Sequence, residues 1–280
     1  MKIRKPCSLK SVNLSSVDAI FCDIDGTIAD GNGVIPLEVI DRLKEIKNHV
    51  RFYLISGRYP GAIKPISERL ELTTPLIALN GALVVEQSGN VLHEALLPND
   101  LALKIAAELT YNHPDVGLII YTSTDWLTLT PNNNYVINEQ EIVQGKAKPI
   151  SSISELSSQP IIKLLFLAKP ETIQHLELYV SENYPEFGSI ISKPYFLELL
   201  SPFVNKGRAL YEVAEENNIC LERAMCIGDG VADLPMFDIA YFKVAPENAD
   251  PSVKKVANII VPSVNDGGIK ELIDHLLATK

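Results

Sequence analysis

The architecture of this chain of 280 residues follows from one segment, Ala19-Ile-Phe-Cys-Asp23-Ile-Asp25-Gly26-Thr27. Its apolar run ends abruptly in Asp23, as expected for a buried parallel strand that feeds a polar loop. Two carboxylates one residue apart leave this strand, and two anions this close need a cation or a shared proton. A hard divalent ion with oxygen ligands, most simply Mg²⁺, meets that need. The simpler alternative is an Asp that caps a helix ahead of a turn.

Outward from this segment, apolar runs alternate with amphipathic ones. We predict a helix that begins near Pro36, a strand at residues 51–55, a helix at 60–70 and a strand at 76–79. The pattern returns near the other end, with helices at 206–217 and 268–277 and strands at 224–227 and near Phe242. This alternation implies right-handed βαβ units around a parallel sheet.

The middle of the chain has a different pattern of predicted elements. Strands are predicted at 118–121, 126–129 and 161–167, and helices at 101–110 and 171–181. We therefore predict an α/β protein with two parts: a parallel-sheet core formed by residues 1–82 and 196–280, and an inserted α+β domain at residues 83–195.

Composition excludes several classes of partner. The net charge is −10, and no run of Lys and Arg forms a track for a phosphate backbone, so we expect no nucleic acid partner. The start of the chain, residues 1–10, is basic, but no apolar stretch follows before Val17, so we expect no membrane partner and a cytoplasmic protein. The sequence leaves the oligomeric state open.

The cysteines show no C-x-x-C pairing and no nearby His at metal-ligand spacing. Two of them lie inside apolar runs that are predicted strands. We expect reduced thiols packed in the core. The four positions are Cys7, Cys22, Cys220 and Cys226.

Three further polar clusters follow predicted strands or open a helix. In an open α/β sheet, the carboxyl ends of the strands form the crevice that binds ligands, so clusters far apart in sequence can meet there. They are Ile55-Ser56-Gly57-Arg58, Asn205-Lys206-Gly207 and Gly228-Asp229-Gly230-Val231-Ala232-Asp233.

Taken in order, the four clusters resemble the four motifs of the haloacid dehalogenase-like (HAD) hydrolases. The resemblance spans residues 17–277, and the insert between the second and third motifs is similar to the Cof-type subgroup. It implies a Rossmann-like parallel-sheet HAD core with an inserted α/β (C2) cap domain. Three further segments also resemble that subgroup: Asn80-Gly81-Ala82, Asn248-Ala249 and Asn265-Asp266-Gly267-Gly268.

The resemblance implies a Mg²⁺-dependent phosphatase that hydrolyses small phosphate monoesters, such as sugar phosphates or related metabolites. Asp23 would be the nucleophile that forms an aspartyl phosphate, and Asp25 the general acid and base. The metal would be held by Asp23, by Asp25 through its backbone carbonyl, and by Asp229. Asp233 would be either a ligand or a support for the ligands.

The same resemblance assigns residues to the substrate. Arg58 is left open between a bidentate phosphate contact and a solvated or structural ion pair. Thr122–Asp125 and Trp126 are candidates for substrate selection by the cap, although a lone Trp in an apolar alternation favours a packed strand residue. The positions expected to bind phosphate are Thr27, Ser56, Gly57 and Lys206, and those expected to contact the rest of the substrate are Arg58, Asn80, Gly81 and Asn248.

Two departures from the subgroup keep alternatives open. Ala232 stands where Asn is usual, and Phe203 stands where Gly usually precedes the motif Lys. A phosphomutase of the same superfamily is one alternative. A weakly active protein that binds a phosphorylated metabolite is another, because Ala232 lacks the usual amide. A dinucleotide-binding domain is disfavoured, because Asp233 replaces the third Gly of G-x-G-x-x-G and would repel a pyrophosphate.

Overall fold

The computed structural model describes residues 13–143 and 145–280. The expectations about the basic segment 1–10 and Cys7 lie outside the described residues. Over that part of the chain, the strands are β1 (Ala19–Cys22), β2 (Arg51–Leu54), β3 (Leu76–Ala78), β4 (Leu83–Val85), β5 (Val91–Glu94), β6 (Gly117–Thr122), β7 (Trp126–Thr128), β8 (Lys148–Pro149), β9 (Ile161–Leu167), β10 (Gly188–Lys193), β11 (Phe196–Leu200), β12 (Ala224–Ile227), β13 (Phe242–Pro246) and β14 (Ile259–Val261).

The helices pack an apolar face and expose a polar one, as in α1, where Val39, Ile40, Leu43 and Ile46 are buried. No helix in the described ranges is long and apolar enough to cross a membrane. The helices are α1 (Leu37–Ile46), α2 (Pro60–Arg69), α3 (Asn99–Asn112), α4 (Asn134–Ile142), α5 (Pro170–Asn183), α6 (Lys206–Glu216), α7 (Leu234–Ile239), α8 (Pro251–Val256) and α9 (Gly268–Leu277).

The chain divides into two compact units. The first comprises the described residues up to Gly81, together with Val85–Asn90 and Asn205–Lys280, and the second comprises Ala82–Val84 and Val91–Val204. The sequence-based division differs at both ends of the insert: it assigns Ala82 and residues 196–204 to the core, and residues 85–90 to the inserted domain. At the second end, strand β11 pairs with β9 in the sheet of the second unit.

The first unit contains a five-stranded sheet in the order β14-β13-β12-β1-β2, and every neighbouring pair is parallel. Strand β1 lies between β12 and β2, with Ala19 opposite Ala224 on one side and Arg51 on the other. All four residues of β1 are buried, as the continuous apolar run predicts. The predicted parallel-sheet core is therefore confirmed.

The second unit contains a six-stranded sheet in the order β10-β11-β9-β6-β7-β8, antiparallel except for the β7–β8 pair. Central strand β9 is buried along its whole length. Apolar residues of α3 and α5, among them Ile105 and Leu176, form one core with sheet residues such as Ile120 and Leu164. This unit thus buries its own hydrophobic core.

The cysteine prediction is confirmed in part. Cys22 and Cys226 are buried free thiols in β1 and β12. Cys220 is exposed, so the expectation of a core thiol is wrong there. It precedes β12 in the connection from α6, where the backbone runs over the surface.

Candidate active site

The parallel sheet delivers polar residues to the carboxyl ends of its central strands. The N–H of Asp23 donates to the carbonyl of Ile227 at 2.9 Å, which extends the β1–β12 ladder by one residue. The N–H of Ile55 likewise donates to the carbonyl of Cys22 at 3.0 Å, so Ser56 follows at the same edge. The side chains that follow β1, β2 and β12 therefore start from neighbouring points.

Three carboxylates gather at this edge. Asp23, Asp229 and Asp233 each offer one oxygen, and these oxygens lie within 4.8 Å of one another. The Lys206 ammonium, at the first residue of α6, lies 2.6 Å from Oδ1 of Asp23 and 2.6 Å from Oδ1 of Asp233. The structure thus brings together predicted residues separated by as much as 210 positions, Asp23 and Asp233 being buried and Asp229 half-buried.

Asp233 holds the loop that carries Asp229. Its Oδ2 accepts hydrogen bonds from the backbone N–H groups of Asp229 and Gly230, both at 2.9 Å, while its Oδ1 accepts from Lys206. Since both oxygens already accept strong donors, Asp233 fixes the backbone that presents the Asp229 carboxylate.

The turn after β1 leaves room for Asp229. Gly26 has a φ of +78°, and a Cβ on it would lie 2.3 Å from Oδ2 of Asp229, so any larger residue would be strained and would displace that carboxylate. The hydroxyl of Thr27 donates to Oδ1 of Asp229 at 2.9 Å. Thr27 has no solvent exposure, and its hydroxyl supports Asp229; the phosphate contact expected of Thr27 stays a prediction.

Arg58 and Asp25 form a bidentate ion pair. Nε of Arg58 donates to Oδ2 of Asp25 at 2.9 Å, and Nη2 donates to Oδ1 at 2.6 Å. The Arg58 side chain is 8% exposed, whereas that of Asp25 is 47% exposed. Of the two roles left open for Arg58, the structure contains the ion pair.

The loop after β2 is held by the segment that follows β3. Ser56 is buried, and its Oγ accepts the N–H of Arg58 at 3.2 Å. The N–H of Asn80 donates to the carbonyl of Ser56 at 2.9 Å. A Cβ on Gly57 would lie only 3.2 Å from Oδ1 of Asn80. The absence of a side chain at Gly57 therefore allows the two loops to approach closely. Gly81 packs similarly on α6, because a Cβ there would lie 2.5 Å from that of Ala209.

Asn248 connects two further loops to the site. Its Nδ2 donates to the carbonyl of Gly26 at 2.7 Å, and its Oδ1 accepts the N–H of Val264 at 3.0 Å. The amide therefore fixes the turn that carries Asp25 and Gly26.

Of the cap candidates, Trp126 is buried and its ring is stacked on that of Tyr121, as the packed-strand interpretation expects.

The electrostatics of the cluster favour an additional cation. Burial, followed by the charge of Asp233, raises the pKa of Asp23 well above its ordinary value, even though Lys206 acts in the opposite direction. The same two causes raise the pKa of Asp229 to about 6. Burial lowers the pKa of Lys206, but the charges of Asp23 and Asp233 outweigh it and raise that pKa. One ammonium does not compensate the carboxylates around it.

Counting charges leads to the same result. Four carboxylates, those of Asp23, Asp25, Asp229 and Asp233, face the two cations Lys206 and Arg58. The excess of two negative charges matches one divalent cation. Carboxylate oxygens are also the donors that Mg²⁺ prefers.

Similarity to known proteins identifies the family. A family model described as haloacid dehalogenase-like hydrolase matches residues 20–273. The chain belongs to the haloacid dehalogenase-like hydrolases. The family predicted from the four motifs is thereby confirmed.

Individual relatives from the HAD family are similar to this chain over nearly its whole length. Phosphatase YwpJ of Bacillus subtilis is 23% identical over 290 residues, covering 92% of this chain and 99% of the relative. A HAD-like hydrolase from Bacteroides thetaiotaomicron has a similar fold, with a TM-score of 0.86, 24% identity, and coverage of 93% of this chain and 99% of that one. A HAD subclass IIB sugar phosphatase has a TM-score of 0.80 with 22% identity over 94% of this chain and 100% of that one.

These similarities confirm the predicted fold class, a parallel-sheet HAD core with a cap domain. The chain is an enzyme of the HAD phosphatase type, a phosphoric monoester hydrolase.

Proposed function

We propose that this HAD phosphatase hydrolyses small phosphate monoesters, sugar phosphates or related metabolites, in a Mg²⁺-dependent reaction through an aspartyl phosphate on Asp23. The observation that carries the proposal is the buried Asp23 carboxylate, held 2.6 Å from Lys206 and within 4.8 Å of the Asp229 and Asp233 oxygens. A nucleophile needs this combination of fixed orientation and nearby positive charge.

The donor set fits Mg²⁺. Asp23 and Asp229 would hold the ion with their carboxylates, and the backbone carbonyl of Asp25 would add a third oxygen. Asp233 supports Asp229 from behind, because its two oxygens are engaged by Lys206 and two backbone N–H groups. When bound, Mg²⁺ offsets the negative charge of the phosphate oxygens.

In the first step, a carboxylate oxygen of Asp23 attacks phosphorus, and the bond from phosphorus to the ester oxygen breaks. Asp25 takes up a proton when the negative charge of the phosphate lies beside it, and it then gives this proton to the departing oxygen, which leaves as an alcohol. The Lys206 ammonium and the loop of Ser56 and Gly57 fix the peripheral oxygens, where charge accumulates during phosphoryl transfer.

In the second step, water attacks the same phosphorus. Asp25, now a carboxylate, takes a proton from this water. The bond between Asp23 and phosphorus breaks, which releases inorganic phosphate and restores both carboxyl groups to their starting states.

The test is phosphate release from p-nitrophenyl phosphate with MgCl₂ or with EDTA. Asp23→Asn and Asp25→Asn should both abolish the magnesium-dependent release. Asp18→Asn is the matched control, since Asp18 pairs with Arg223 at the amino ends of β1 and β12, the opposite edge of the same sheet. Thermal unfolding of each variant checks its folding.

Full activity of Asp23→Asn would remove the covalent step from the proposal. Activity that survives EDTA would remove the metal. A panel of sugar phosphates and related phosphorylated metabolites, analysed for free phosphate and for isomerised sugar phosphate in the same sample, identifies the substrate and separates the phosphatase from a phosphomutase.

A further inference from the structure

The ion pair between Arg58 and Asp25 is unequal in its surroundings. The guanidinium holds both oxygens of the carboxylate, at 2.9 and 2.6 Å, so it fixes the plane of that group as well as its position. The Arg58 side chain is almost buried, at 8% exposure, while the Asp25 side chain is about half exposed. The nearly buried guanidinium of Arg58 therefore holds the carboxylate of Asp25, which remains accessible to solvent.

The backbone of Arg58 is also fixed. Its N–H donates to Oγ of Ser56 at 3.2 Å, and its carbonyl accepts the N–H of Leu79 at 3.0 Å. Ser56 lies two residues after the end of β2, and the bridge between Ile55 and Ile77 joins that strand end to β3. The backbone of Arg58 is thus attached to the ends of two strands of the first unit. It also belongs to the loop that we propose holds the phosphoryl group.

A second Arg–Asp pair shows what a surface ion pair looks like in this chain. Nη2 of Arg223 donates to Oδ1 of Asp18 at 2.7 Å, while Nε lies 2.7 Å from Oδ2 and donates to the carbonyl of Ser16 at 3.0 Å. Those side chains are 50% and 38% exposed. Burying a guanidinium costs desolvation that the surface pair avoids, so the position of Arg58 needs a reason beyond the ion pair itself.

We propose that Arg58 is a positioning residue for Asp25, holding its carboxyl group in place for proton transfer to the departing ester oxygen. The inference rests on the proposed function, in which Asp25 is the general acid. It assigns Arg58 to the leaving-group side of the reaction and the Lys206 ammonium to the phosphoryl side.

The experiment compares two aryl esters of similar shape, phenyl phosphate and p-nitrophenyl phosphate. The nitro group stabilises the departing phenolate, so p-nitrophenyl phosphate needs little protonation, whereas phenyl phosphate depends on the acid. The variants are Arg58→Ala, Arg58→Lys and, as the matched control, Arg223→Ala. Inhibition by inorganic phosphate and the thermal unfolding temperature are measured for each variant.

Arg58→Ala should lower kcat for phenyl phosphate about 100-fold, the scale of a displaced catalytic group, and lower kcat for p-nitrophenyl phosphate far less. Arg58→Lys, which keeps the charge without the fork, should restore only part of the loss. Inhibition by inorganic phosphate should not change, and Arg223→Ala should match the wild type on both esters.

Equal losses on the two esters would overturn the inference. If inhibition by phosphate weakens at the same time, Arg58 binds the phosphoryl group. If the unfolding temperature falls instead, the pair is structural. A wild-type enzyme that hydrolyses neither ester would overturn the proposed function itself, a result that is distinct from both.

Discussion

Lys206 donates to Oδ1 of Asp23 at 2.6 Å, and both side chains are buried where the parallel sheet ends. The ammonium reaches this point because α6 begins at Lys206 and lies close to α7. A Cβ on Gly207 would lie 2.2 Å from the carbonyl oxygen of Pro235, so only glycine permits this approach. The position of the cation is therefore set by helix packing as well as by its own ion pairs.

Replacing Lys206 by Met should lower both turnover and stability. The variant leaves Asp23 and Asp233 buried without their cation, which costs about 3 to 5 kcal/mol of unfolding free energy when one partner of a buried pair is removed. Loss of a fixed charge at the phosphoryl group should lower kcat about 10²- to 10³-fold. Kinetics with p-nitrophenyl phosphate and guanidinium unfolding measure the two effects.

Lys64→Met is the control for this variant, since Lys64 forms an exposed pair with Glu68 at 4.0 Å. Exposed pairs contribute about 0 to 1 kcal/mol, so the control should behave like the wild type. Wild-type kcat in Lys206→Met would contradict the role of this ammonium.

Gly26→Ala should weaken the binding of Mg²⁺. The new Cβ would lie 2.3 Å from Oδ2 of Asp229 and would push that carboxylate aside. Gly267→Ala is the matched control, because Gly267 has the same φ of +78° and no atom within 4 Å of the added Cβ. Both variants should lose about 1 to 2 kcal/mol of unfolding free energy to backbone strain.

Only Gly26→Ala should lower the affinity for Mg²⁺, by about 10- to 100-fold. A magnesium titration by isothermal calorimetry compares the two variants. Equal affinities would mean that Asp229 does not hold the ion.

Thr27→Val tests the support of Asp229. Valine keeps the shape of this fully buried residue but removes the hydroxyl that donates to Oδ1 of Asp229. We expect the magnesium affinity to fall about 10-fold or more, the usual cost of losing a group that orients a ligand. Thr27→Ser, which keeps the hydroxyl, should bind Mg²⁺ like the wild type. A loss in Thr27→Ser as large as that in Thr27→Val would point to packing instead.

A buried ion pair in the second unit gives a test of stability away from the site. Nζ of Lys163 in β9 lies 2.7 Å from Oε2 of Glu198 in the neighbouring strand β11, and both side chains are buried. Lys163→Met alone should cost about 3 to 5 kcal/mol, because Glu198 stays buried with its charge. Adding Glu198→Leu should recover most of that loss, and chemical unfolding measures the cycle. A second loss equal to the first would show that the two side chains act independently.

Two central strands of the parallel core were predictable because they are short apolar runs with no polar residue inside them. Strands β1 and β12 read clearly for that reason. Helix α4 was not predicted, since only Val136 and Glu139 of its nine residues are buried and no apolar stripe marks it. Residues 196–200, which form β11, were assigned to the core, because the pairing of β11 with β9 depends on tertiary contacts that the sequence pattern does not show.

The candidate active site was likewise predictable only in part. Sequence alone predicts that carboxylates at the ends of parallel strands meet, and Asp23 and Asp229 do so. It does not predict which donor each carboxylate takes. Arg58 faces Asp25 and Thr27 faces Asp229, and these choices depend on side-chain directions across segments 33 and 202 positions apart.

Glu108 should make the stability of the second unit depend on pH. It accepts hydrogen bonds from the hydroxyls of Tyr179 and Tyr184, which lower its pKa below the ordinary 4.5. A lowered pKa in the folded state stabilises the protein above 4.5, and this contribution disappears as the pH falls through the folded value.

Glu108→Gln should therefore be less stable than the wild type at pH 7, by about 1 kcal/mol for hydrogen bonds of this kind, and the difference should shrink below pH 4.5. Thermal unfolding from pH 7 to pH 3 measures it. The pair Tyr179→Phe and Tyr184→Phe removes both donors and should lose the same pH dependence. A difference between wild type and Glu108→Gln that stays constant with pH would show that these bonds do not favour the charged carboxylate.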